Sequence, residues 1–84
     1  MTEPMDADRV PLATIERRQG VELRIAIRVY GGATFVDVRQ WFRGRDFTWQ
    51  PGKGATLRPE ELPVVIRSLQ TALDVLERRA RERT

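Results

Sequence analysis

Between Val21 and Phe42, arginines and aromatic rings alternate with aliphatic residues, and this spacing carries most of the chemistry in the 84-residue chain. Successive side chains of an extended strand point to opposite faces. Glu22, Arg24, Ala26, Arg28 and Tyr30 then share one face, and Val21, Leu23, Ile25, Ile27 and Val29 the other. After Gly31-Gly32 the division repeats, with Phe35, Asp37, Arg39 and Trp41 joining the arginines and Val36, Val38 and Phe42 the aliphatics. Guanidinium groups bind phosphates and flat rings stack on unpaired bases, so the mixture suits a single strand better than a duplex, whose base faces are hidden. Stacking on Tyr30 or Trp41 is worth roughly 1–3 kcal/mol per base and reads little sequence.

The charge distribution agrees. The chain has 15 basic and 12 acidic residues and a formal net charge of only +3. Residues 21–58 nevertheless carry six Arg and Lys53 against Glu22, Asp37 and Asp46, while the flanking segments are nearly balanced. A basic sheet is the footprint of a polyanion binder. The chain has no Cys and no His, which removes disulfides, zinc ribbons and the commonest general base. The carboxylates are scattered and no glycine-rich phosphate loop occurs, so no catalytic residue, metal or cofactor is expected. No apolar run has the length to span a bilayer, and the amino terminus lacks the basic and apolar parts of a secretion signal. The expected location is the cytoplasm, with nucleoid association in a bacterial host.

The elements that must position these residues follow from the pattern. Residues 1–11, with acids and two prolines, read as a loose tail. Leu12 to Arg18 is either an added edge strand or a segment packed on the sheet. Gly31-Gly32 marks a hairpin turn, and Arg43-Gly44-Arg45-Asp46 marks another. A short strand over Phe47, Thr48 and Trp49, a third turn at Pro51-Gly52-Lys53-Gly54 and a brief strand at 55–57 complete an antiparallel meander, because such short connections cannot join parallel strands. From Pro59 the apolar period lengthens to about 3.6. Leu62, Val65, Ile66, Leu69, Leu73 and Leu76 form the stripe of one amphipathic helix; it starts either at Pro63 or after a short turn over 59–62. Val65, Ile66, Leu69, Ala72, Leu73 and Leu76 offer a wider surface than one side of a small sheet requires, so a second copy of the chain is expected to cover the rest.

The run LRIAIRVYGGATFVDVRQWF, followed by PGKGATLRPEELP and a single amphipathic helix, resembles the transcriptional coactivator family of positive cofactor four, over residues 12–80. LATIERR before the first long strand looks like its bacterial members. The resemblance implies an α+β, Whirly-like fold: a curved four-stranded antiparallel meander, then one C-terminal helix, in a homodimer joined by the helices and adjoining sheet. It implies one domain over 12–84, with the sheet at 12–58 and the helix at 59–81. It also implies single-stranded DNA binding along the sheet, with nucleic-acid contact carried onto Arg28, Tyr30, Arg39, Trp41, Phe42 and Lys53. Phe42 takes the position of a base-stacking ring, whereas its parity puts it with the aliphatics; a bulge or strand end would reconcile the two. Gly31, Ala33 and Gln50 stand where basic residues are common in the family, and Arg24, Arg43 and Arg45 are candidates to supply that charge.

Competing readings attach to the same residues. Alternating arginines are also the ordinary wet face of a half-buried sheet, which leaves Arg24, Arg43 and Arg45 open. Phe35, Phe47 and Trp49 read as core or dimer residues, and Gly52 and Gly54 as turn formers. The expected function is single-stranded DNA binding with little sequence preference, as a transcription cofactor or nucleic-acid-maintenance accessory. The alternatives are a transcription or replication module whose basic face meets an acidic protein, a single-stranded RNA binder and, least supported, a small enzyme. No membrane partner is expected, because the helix's polar face is of mixed charge.

Overall fold

A computed structural model describes residues 9–83. Strands β1 (Arg9–Arg18), β2 (Val21–Tyr30), β3 (Ala33–Arg43) and β4 (Trp49–Leu57) form one antiparallel sheet in chain order. A 3-10 turn over Pro59–Glu61 leads into a single helix, α1 (Leu62–Glu82). The α+β meander with a C-terminal helix is thus the architecture expected from the pattern.

The central hairpin follows the alternation without a break. β2 and β3 pair from Val21 opposite Phe42 to Tyr30 opposite Ala33, and Gly31 and Gly32 close the turn at φ 61° and 80°, a region open to glycine. The two edges depart from expectation. β1 begins at Arg9, inside the stretch expected to be loose, while residues 1–8 of that stretch lie outside the described residues. Pro11 fits there because an edge strand has one unpaired side, where a missing N–H loses no ladder bond.

On the other edge, Pro51-Gly52-Lys53-Gly54 is not a turn. β4 runs straight through it, with a bulge where the register slips between Arg39 and Trp41 of β3. The glycines are required by close approach, not by left-handed backbone. A β-carbon on Gly54 would stand 2.5 Å from the Val38 carbonyl oxygen and 2.8 Å from the Arg39 α-carbon, and one on Gly52 would overlap the Phe42 ring.

The sheet is strongly coiled, and a single contact demonstrates it. Arg9 pairs with Arg28, and Trp41 with Glu22, six residues further along β2. In a flat sheet that offset is about 20 Å along the strands. The Arg9 guanidinium nevertheless lies 5.0 Å from the Trp41 ring centroid. The face bearing Arg9, Arg24, Arg28, Arg39 and Trp41 must therefore be the concave one. Ala26, Asp37 and Trp41 are buried on this concave face, although among the described residues no second layer of secondary structure covers it.

Among the described residues, no second layer covers the convex face. Leu23, Ile25 and Ile27 are half-buried, and Val10, Ile15 and Val29 are exposed. Nor does α1 supply a lid: its extensive contact is with the 3-10 turn before it, not with a strand. Glu61 holds that turn, accepting from the Arg58 N–H at 2.8 Å and donating its own N–H to the Arg58 carbonyl at 2.9 Å. Ile66, Leu69, Leu73 and Leu76 are consequently all exposed. The expectation that the helix covers part of its own sheet is not met: α1 runs on from the 3-10 turn without packing substantially on any strand.

Candidate nucleic-acid interface

The concave face brings together Arg24, Arg28, Tyr30, Arg39 and Trp41, as their parity requires. Their states differ sharply. Tyr30, at one end beside the glycine turn, is 76% exposed, with Arg28 two residues away on the same face. Trp41, at the other end, is only 6% exposed. The Arg24 guanidinium stands 4.5 Å from its centroid and Arg9 lies 5.0 Å away. The ring that parity offered as a free stacking surface is thus covered by cations in the unbound chain.

Two of the arginines are held by acids two positions earlier on the same face. Arg24 Nε donates to Glu22 Oε1 at 3.0 Å. Arg39 grips Asp37 more fully, with Nε 3.2 Å from both carboxylate oxygens and Nη2 2.9 Å from Oδ1, and its Nη1 donates to the Gly52 carbonyl at 2.8 Å. The last bond ties β3 to β4 where the bulge interrupts the ladder. An acid followed two residues later by an arginine on one strand face was a legible signal for both pairs; alternation alone counted the arginines as free charge.

Phe42 lies on the opposite, convex face, 39% exposed, with its ring over Gly52. The bulge sits on β4, while β3 keeps its register with β2 through Phe42 and so does not turn the ring. Phe42 and Tyr30 therefore do not share a surface. Lys53 projects from the bulge and is exposed, as are Arg43 and Arg45 at the end of β3 and in the following loop. Among the described residues no acid pairs with these three cations.

The far end of the concave face carries an arrangement that sequence reasoning missed. Rings and guanidiniums alternate: Phe47, Arg43, Trp49, Arg24, Trp41 and Arg9, with neighbouring centres 4.5–5.7 Å apart. Such contacts contribute about 0.5–1 kcal/mol when exposed and about 2 when desolvated. Trp49 is half-buried within this stack, whereas Phe47, also expected to be core or dimer surface, is 74% exposed. The loop beneath it is rigidly tied. Asp46 Oδ1 accepts from the Thr48 hydroxyl at 2.7 Å and the Thr48 N–H at 3.1 Å, and these bonds hold its carboxyl below the ordinary value.

The stack makes Arg24 a structural residue. Arg24→Ala in a Trp49→Phe background is expected to red-shift the emission of Trp41 as water reaches it, and to remove roughly 1–2 kcal/mol of stability. An unchanged spectrum and melting temperature would show that Trp41 is covered by something else.

A four-stranded coiled meander with one trailing helix is a fold with known relatives. The family model described as Transcriptional Coactivator p15 (PC4) matches residues 18–68, more than half of the chain. The chain belongs to the PC4 family. The match runs from the end of β1 into the first turns of α1. Among solved structures, the orthorhombic crystal form of BPSL1147, a PC4 homolog from Burkholderia pseudomallei K96243, is 33% identical, with a TM-score of 0.69 over 79% of this chain and 90% of that one. The tetragonal form of the same PC4 homolog is 34% identical at the same TM-score, covering 76% of this chain and 96% of that one. No curated protein matches the chain. No helix among the described residues is long and apolar enough to cross a membrane.

Proposed function

We propose that this PC4-family chain is a homodimeric single-strand binder with little sequence preference, acting as a transcription cofactor or nucleic-acid-maintenance accessory. The observation that carries the reading is the pairing of an open ring with uncompensated charge on one concave sheet. Tyr30 is the stacking ring at one end, beside Arg28; Arg43, Arg45 and Lys53, which no acid among the described residues pairs with, hold phosphates toward the other. Arg24 and Arg39, already bonded to Glu22 and Asp37, shape the floor. The aliphatic convex face and the apolar stripe of α1 are left for the second copy, so the dimer and the nucleic acid use different surfaces.

Titration of the full chain with labelled oligo-dT against increasing salt tests this. Log affinity should fall linearly with log salt, and Lys53→Ala or Arg45→Ala should each make the slope shallower by roughly 0.7, the increment for one phosphate contact on a single strand. Tyr30→Ala should weaken binding by roughly 1–3 kcal/mol with the slope unchanged. Equal affinity for a duplex of the same length, or no binding to oligo-dT, would overturn the reading. Tighter binding to oligo-U would move it to single-stranded RNA, and binding only to an acidic protein would favour the interaction module.

A further inference from the structure

Phe47 occupies the position where three-residue hairpin loops place glycine. The Phe47 N–H bonds the Gly44 carbonyl at 3.0 Å and the Gly44 N–H bonds the Thr48 carbonyl at 2.9 Å, which is a turn followed by one residue in left-handed backbone. Phe47 takes that conformation, at φ 65°, as the only non-glycine residue to do so among the described residues. A bulky residue at positive φ is strained, and the strain is not offset by burial, because the ring is 74% exposed. A lone exposed phenylalanine needs no explanation by itself. An exposed one held in strained backbone does.

The surroundings indicate what the ring is held for. Its one cation contact is the Arg43 guanidinium, 5.4 Å from the centroid on the side of the ring–cation stack. Arg45 precedes it in the loop, and neither arginine has an acid partner among the described residues. The ring therefore ends the stack with an open face, flanked by free positive charge, at the end of the sheet away from Tyr30. A flat, sequence-tolerant partner carrying its own negative charges fits this tip: a nucleotide of a single strand.

We infer that Phe47, with Arg43 and Arg45, forms a second nucleotide-binding subsite at the tip of the β3–β4 loop, where one base stacks on the open face of Phe47 and the adjoining phosphate meets Arg45. This rests on the single-strand reading proposed above and extends it: a strand bound along the concave face from Tyr30 continues to the loop. β3 has 11 residues, so the path along the strand from one ring to the other is about 35 Å.

The test uses opposite signs for stability and binding. Phe47→Gly relieves the backbone, so its melting temperature should equal or exceed that of the parent. Its affinity for oligo-dT of about 16 nucleotides should nevertheless fall roughly 5- to 100-fold, with the salt slope unchanged. Phe47→Tyr should bind like the parent. The losses from Phe47→Gly and Tyr30→Ala should multiply in the double variant, since the rings stand at opposite ends of β3 and each takes its own base. If the parent binds oligo-dT and Phe47→Gly binds equally well, the subsite is absent although the single-strand reading stands. A melting temperature well below the parent's would make Phe47 a structural residue instead. If the parent does not bind at all, the broader reading fails and the subsite fails with it.

Discussion

Leu69→Asp is expected to abolish dimerisation and, with it, the folded state. Ile66, Leu69, Leu73 and Leu76 lie exposed along α1, and Leu23, Ile25 and Ile27 line a convex sheet face over which no other element among the described residues packs. Burying a Leu or Ile side chain contributes about 1.5–3 kcal/mol, so the helix stripe alone, counted over two copies, offers on the order of 10–20 kcal/mol before association entropy is subtracted. Whole domains are stable by only about 5–15 kcal/mol. For a chain of this size that is the scale of the whole folding free energy, so burial against a second copy is expected to decide whether the fold persists. An aspartate at position 69 would set a charge in the middle of the shared surface, where no basic partner is available on the stripe. Light scattering and circular dichroism at micromolar concentration give the answer. A folded monomer, whether parent or variant, would show that the chain is stable without its second copy.

The parts of the fold legible in the sequence were those governed by local period. The two faces of β2 and β3 follow from alternation over twenty residues, and Gly31-Gly32 identifies the hairpin because the backbone there needs positive φ. The helix follows from its 3.6-residue stripe, with Pro59 opening the 3-10 turn and Pro63 in the first turn of α1, where a missing N–H costs no helix bond. The edges were not legible, since proline and glycine signal a turn in a sequence but are also tolerated on an open edge. Pro11 and Pro51 sit on edge strands, and Gly52 and Gly54 serve the approach of Phe42 and the β3 backbone.

The site was legible as a face but not as a surface. Alternation assigned Arg24, Arg39 and Trp41 to the correct side of the sheet. Which groups on that side remain open depends on coiling, and coiling brings Arg9 onto Trp41 from a strand two places away. Local period contains no information about that contact. It buries the ring that looked most available and leaves Tyr30, Phe47, Arg43, Arg45 and Lys53 as the exposed chemistry.

Arg39→Ala should then behave as a stability variant before it behaves as a binding variant. Asp37 is only 4% exposed on the concave floor, and Arg39 supplies each side-chain donor it meets among the hydrogen bonds described. Removing one partner of a buried pair costs about 3–5 kcal/mol, chiefly because the remaining charge is left without compensation. Arg39 is itself partly open to water, its side chain 24% exposed, which places the expected loss near 3 kcal/mol. The lost bond from Nη1 to the Gly52 carbonyl should also loosen β4 at its bulge. Asp37→Ala combined with Arg39→Ala removes the stranded carboxylate, and the double variant should be more stable than Arg39→Ala alone, a coupling that denaturant titration of the four proteins in the cycle would measure. A phosphate-binding Arg39 gives the opposite pattern: a melting temperature close to the parent's, weaker oligo-dT binding and a salt slope shallower by roughly 0.7. If that pattern is found, the Asp37 pair contributes little to the stability of the free protein, and Arg39 belongs with Lys53 and Arg45 among the residues that hold the backbone.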